Sequence, residues 1–183
     1  MTSILKVDRV QSTSNGFVLP PAGGIIQTQY SQKIDTGSVS LSAQTYTALH
    51  SDLEVTITPT STSSVIKLEG QIFGEHSDSG NVYNCSVFFY RNTTRLGAPA
   101  AGSRFAGVGI LPRSYEVANA DSTPEFAMYS FYDTPSTTSA ITYKLGMITW
   151  TAETFYINRT VGDVDTGYYE RGTSFISVTE IAG

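Results

Sequence analysis

Cysteine occurs once in 183 residues, as Cys85, which excludes an intrachain disulfide framework and a Cys-rich zinc site. Charge is scarce too: Asp, Glu, Lys and Arg make up 15% of the chain, where about a quarter is usual. Sixteen acidic against 11 basic residues leave a net charge of -5 and a pI near 4.9. The clustered cations that release counterions from phosphate backbones or anionic lipid are missing, so nucleic acid is not an expected partner. Only His50 and His76 are available as histidine bases, and no Gly-x-Ser-x-Gly elbow presents a nucleophile. No apolar run approaches the roughly 20 residues of a membrane-spanning helix. Residues 1–10 lack the basic start and the apolar core of about 7–15 residues that mark a secretion signal. The expectation is synthesis in a cytoplasm, without membrane insertion. On that reading the sequons at Asn84, Asn92 and Asn158 are accidents of composition.

What the chain has instead is hydroxyl. Ser and Thr occupy about a quarter of its positions, so its surface is covered by hydroxyl groups rather than by ion pairs. Helical periodicity is hard to find, whereas period-two alternation recurs in short segments bounded by Gly, Pro, Asn, Asp and Ser. Leu53, Val55 and Ile57 alternate with Glu54, Thr56 and Thr58; a polar turn follows over 59–64; Ile66, Leu68 and Ile72 resume the pattern. Further strands are expected at 83–91, 126–133, 141–150, 154–159 and 173–181. About eight to ten strands without intervening helices predict an all-β chain, a β-sandwich or jelly-roll-like head, because parallel sheets need crossover helices. Residues 97–124, rich in Gly and Pro, read as elaborated loops with one or two short strands.

The N-terminus differs from the rest. Ile4, Leu5, Val7 and Val10 form one apolar strip and Phe17, Val18 and Leu19 another, with the turn pair Asn15-Gly16 between them. Pro20, Pro21, Gly23 and Gly24 then set this unit apart. An isolated hairpin is marginal in water, so residues 1–22 are expected to be an arm that docks on another surface, and residues 23–183 the head.

The opening Ile4-Leu5-Lys6-Val7-Asp8-Arg9-Val10-Gln11 with Asn15-Gly16 resembles the N-terminal segment of many bacteriophage tail-fibre and virion structural proteins. The body is similar to a β-rich domain of marine and cyanobacterial phage particles. The matching blocks are 23–27, 55–66, 133–143, 171–176 and 180–183. The resemblance implies a virion component, assembled in the host cytoplasm, that is typically a homotrimer docked by its N-terminus onto other virion structural proteins. Because the chain passes from Pro20 almost directly into the body, a short tail fibre or spike subunit that contributes to host attachment is expected; the alternative is a capsid decoration protein, a cement or head-fibre subunit. The resemblance supplies no catalytic motif, and neither enzyme activity nor a cofactor is expected.

Residues able to carry chemistry are few. His76, within Glu75-His76-Ser77-Asp78-Ser79-Gly80-Asn81, reads as part of a polar turn, and His50 as a strand cap at the surface. Asp163-Val164-Asp165 resembles part of a calcium loop, but the sixth and twelfth positions hold Tyr168 and Ser174 rather than Gly and an acid; a connecting loop between Arg159 and Arg171 is expected instead, and no metal site. Glu116, Asp121 and Glu125 show no spacing that singles out a glycosidase pair. Tyr168-Tyr169, in a glycine-flanked loop where both rings cannot enter one core, and Tyr115 are the candidate contacts for a host surface glycan or outer-membrane receptor. Phe88, Phe89, Phe126, Phe131, Tyr143, Trp150, Phe155 and Phe175 read as core or subunit interface.

Overall fold

The structure, a computed structural model, describes residues 20–77, 84–111 and 122–183. Among them are eleven strands in two sheets, consistent with the β-sandwich or jelly-roll-like fold expected from the alternation. The strands are β1 (Ile25–Lys33), β2 (Gly37–Leu41), β3 (Thr47–Ala48), β4 (Glu54–Ile57), β5 (Val65–His76), β6 (Cys85–Arg91), β7 (Thr94–Leu96), β8 (Glu125–Asp133), β9 (Ile141–Thr149), β10 (Glu153–Ile157) and β11 (Ser174–Ile181). One sheet runs β1-β11-β5-β10-β2, with β8 paired to β5; the other runs β3-β9-β6-β7, with β4 paired to β9.

The long strand β5 organises the first sheet. Residues 66–74 pair with all of β8, residues 65–71 pair with β11, and residues 74–76 pair with β10. Alternate residues Ile66, Leu68 and Ile72 face inward and are fully buried, as the period of two requires. They meet Phe89, Leu145 and Tyr143 from the second sheet in one apolar core. Gly70 marks the closest approach of the sheets: a Cβ there would lie 2.7 Å from Leu145 Cδ2 and 3.3 Å from the Phe89 ring. Large neighbours fill the space that a side chain at position 70 would need.

Buried polar groups tie the loops to this core. Glu180, fully buried on β11, accepts hydrogen bonds from the Thr60 N–H (2.7 Å), Thr60 Oγ1 (2.7 Å), Ser64 Oγ (2.6 Å) and Gln27 Nε2 (2.6 Å). Burial alone would raise its pKa, but these donors outweigh it and hold the carboxyl below its ordinary range. Glu75 ties down two other loops, accepting from the Thr123 N–H and Oγ1 and from the Val161 N–H. Asp133 joins the sheets, receiving Tyr143 Oη at 2.8 Å and Arg91 Nη1 at 3.0 Å. Asn158 adopts a positive φ of 62°, which Asn tolerates better than most residues. Its side-chain nitrogen donates to the carbonyls of Lys33 and Asp35.

Candidate functional site

Three regions of this sandwich carry residues that composition alone leaves unexplained. The first is the outer face of β1-β11-β5-β8. Register places the side chains opposite the buried set in transverse rows: Phe126 beside Phe73; Met128, Gln71, Phe175 and Gln32; Ser130, Glu69, Ser177 and Tyr30; Tyr132, Lys67, Thr179 and Thr28. Phe126, Met128 and Tyr132 are 55%, 60% and 59% exposed, and Tyr30 74%. The charged side chains in these rows, Lys67 and Glu69, neutralise each other at 2.8 Å. β8 has β5 on one side and, among the described residues, no strand on the other. A nine-residue edge strand with an apolar outer row is what soluble monomers normally blunt with charge or proline.

The second region is the loop over 160–172, which lies where the sequence predicted a connecting loop and is closed by a bridge between Arg159 and Arg171. Asp163, at a positive φ of 46°, is clamped between Arg159 (3.2 Å) and Arg171 (2.6 Å). Its carboxylate is thus engaged by two guanidinium groups rather than poised beside other acids. Tyr168 projects from this loop at 81% exposure while Tyr169 is half-buried, as expected of a pair whose rings cannot share one core.

The third region is a buried cluster that sequence reasoning missed. His76 is the last residue of β5 and nearly fully buried, not part of a polar turn. Its Nδ1 lies 3.0 Å from Glu153 Oε1, itself buried, and its ring packs on Phe155 at 4.9 Å. Cys85 interacts with the same ring. Burial alone would lower the imidazole pKa, but Cys85 and Glu153 together reverse this and push it up to about 9. Among the described residues, neither His76 Nε2 nor the buried Tyr129 hydroxyl has a hydrogen-bond partner. Burial drives the Tyr129 phenol far above its usual range, with Cys85 adding to the effect. Pairing of β10 with β5 brings Glu153 to His76, and Cys85 comes from β6 of the facing sheet. The mutual spacing of His76, Cys85 and Glu153 therefore carries no local signal. Their composition resembles a thiol-imidazole-carboxylate set, but all three side chains are buried.

His50 also differs from expectation: it caps a short 3-10 turn over 51–53, its Nδ1 accepting from the Asp52 N–H at 3.1 Å, rather than ending a strand. Of the strand aromatics, Phe88, Phe89, Tyr143 and Phe155 are core, whereas Phe126 and Trp150 are exposed on the surface. The arm residues Ile4, Leu5, Val7, Val10, Phe17, Val18 and Leu19 lie outside the described residues, as do Tyr115, Glu116 and Asp121.

The sequence matches no protein-family model and no curated protein. Among solved structures it is loosely similar to the infectious bursal disease virus VP2 subviral particle. That likeness has 11% identity and a TM-score of 0.35 over 85% of this chain and 42% of the other. The chain thus spans under half the length of VP2, and the surfaces above must be read on their own chemistry.

Proposed function

We propose that this chain is a non-enzymatic structural subunit of a viral particle, a short phage tail fibre or spike, built as a homotrimer through the outer face of β1-β11-β5-β8. The observation that carries this reading is the set of exposed Phe126, Met128, Tyr132 and Tyr30 on a face whose two charges neutralise each other, beside an edge strand with no second neighbour among the described residues. Near a three-fold axis each side chain meets copies of itself, so uncompensated charge there would repel. Phe126, Met128, Tyr132 and Tyr30 meet that condition, and Lys67 brings its own counter-ion. For subunits that each carry a charge of -5, this neutral face is where copies approach with least repulsion.

In this reading the arm at residues 1–22 attaches the trimer to another virion protein, and exposed loops, with Tyr168 foremost, face the host. The sequence resemblance to phage virion proteins supports the particle context, and the weak charge with abundant hydroxyl suits contact with hydrated saccharide. Antibody labelling of purified particles of the encoding virus tests it. Label at the tail is the expected result, label over the head shell would mark a decoration subunit, and absence of the chain from particles would overturn the proposal.

A further inference from the structure

The loop at 97–111 folds back over the outer surface of the second sheet. Tyr46 anchors it: its hydroxyl accepts from the Ala106 N–H at 3.1 Å, and its ring lies 4.6 Å beneath the Arg95 guanidinium. Arg95 also donates to the Ala106 carbonyl. Backbone bonds from Val87 N–H to the Gly109 carbonyl and from Ala98 N–H to the Gly107 carbonyl complete the attachment. This anchoring leaves three adjoining clefts of about 310, 360 and 320 Å³ that share Arg104 and Phe105. Each lies at the small end of ligand-binding sites, which run to about 1,000 Å³.

The first cleft is lined by Asn84, Cys85, Ser103, Arg104, Phe105 and Trp150. Trp150, the chain's single tryptophan, is 49% exposed there, and its ring centre lies 6.2 Å from that of Phe105. Its backbone N–H is fixed on the Asn84 carbonyl at 3.0 Å. Arg104 is exposed, with Nη1 on the Ala101 carbonyl at 3.1 Å. Among the described residues it has no carboxylate partner. Two of the chain's 11 cationic side chains, Arg95 and Arg104, line these clefts, and none of its 16 acidic ones does so among the described residues. In an acidic protein that is a local reversal of charge.

We propose that the Trp150 cleft binds a carboxylated saccharide. The flat indole face receives the apolar side of a pyranose ring, the Asn84 amide and Ser103 hydroxyl meet ring hydroxyls, and Arg104 takes the carboxylate in a charge-assisted, bidentate pair. A neutral sugar satisfies the aromatic and amide groups but leaves the guanidinium without its anion. A polyphosphate satisfies the guanidinium but meets the negative field of the whole chain. The proposal rests on the host-attachment reading and names its ligand class.

The test uses the full-length chain, with Trp150 emission and isothermal calorimetry as parallel readouts. Glucuronate and N-acetylneuraminate are titrated against glucose, galactose, acetate and a triglutamate peptide. A saturable signal at millimolar or lower concentration is expected for the acidic sugars, at least tenfold weaker for every comparator. Arg104→Gln should lower acidic-sugar affinity tenfold or more with little change for neutral sugars, and Trp150→Ala should abolish calorimetric binding, while both variants keep the wild-type circular dichroism spectrum. No saturable heat or emission change up to about 50 mM, or equal binding of acetate or triglutamate, would overturn it. Sedimentation of the same samples reports subunit assembly separately, so a failed sugar site leaves a measured answer on the structural role.

Discussion

The buried histidine makes stability depend on pH with a definite sign. His76 has a folded-state pKa of about 9 against about 6.5 in an unfolded chain. Because the folded value is the higher one, the imidazolium's interactions with Cys85 and Glu153 contribute fully below about pH 6.5 and are lost as pH rises through about 9. A tenfold gain in proton affinity is worth about 1.4 kcal/mol, so the contribution is on the order of 3 kcal/mol. Among the described residues, the groups facing the ring are Cys85, Glu153 and Phe155. Urea unfolding of the full-length chain at pH 6.0, 7.5 and 9.0, compared between wild type and His76→Gln, separates this group from the others. The stability difference between the two proteins should shrink by roughly 2 to 3 kcal/mol from pH 6 to pH 9. Cys85→Ala should move that loss to lower pH, because one of the two interactions holding the proton is gone. Parallel stability curves for wild type and His76→Gln across the range would refute the reasoning.

Other expectations follow from the same interior. Glu180→Leu takes away the acceptor of the Thr60 N–H, the Thr60 hydroxyl and the Ser64 hydroxyl, while Gln27 keeps the Thr58 carbonyl, and should cost about 2 to 4 kcal/mol in urea unfolding. Since the pKa of Glu180 is lowered on folding, its contribution is present above the ordinary carboxylate range and fades as pH falls through the lower folded value; acid unfolding of Glu180→Gln should show a shallower acid limb than wild type. Tyr129→Phe removes a buried hydroxyl that has no partner among the described residues and should be neutral or stabilising by up to about 1 kcal/mol in thermal unfolding. Gly70→Val drives side-chain carbons into Leu145 and Phe89 and should lower stability by about 3 kcal/mol or prevent soluble expression.

Much of the architecture is legible because alternation states which face each strand buries. The segments Leu53 to Ile57 and Ile66 to Ile72 became β4 and β5, and those near 126–133, 141–150 and 173–181 became β8, β9 and β11. β1 and β2 were harder to read. Thr28, Gln29, Tyr30 and Gln32 on β1 are exposed, as are Ser38 and Ser40 on β2, so neither strand shows a clean hydrophobic row and both are held largely by ladder bonds to β11 and β10. The loop between Arg159 and Arg171 and its projecting tyrosine were visible in sequence because glycine spacing reports local geometry. The His76 cluster was not, since Glu153 reaches His76 only through the pairing of β10 with β5 and Cys85 only where the two sheets pack together. Phe126 and Trp150 illustrate a further limit: an aromatic in a strand pattern signals a strand, but which side of the sheet it occupies depends on register that only the fold sets.

Whether the outer face of β1-β11-β5-β8 joins copies of this chain is the central question for the structural role. Sedimentation equilibrium of the full-length protein from about 1 to 100 μM, alongside the double variant Met128→Glu with Tyr132→Glu, measures this. Both substitutions sit on exposed side chains, so the fold should persist by circular dichroism. A wild-type trimer and a monomeric double variant are the predicted results; a wild type that stays monomeric throughout, or a double variant that still forms trimers, would contradict the proposed assembly.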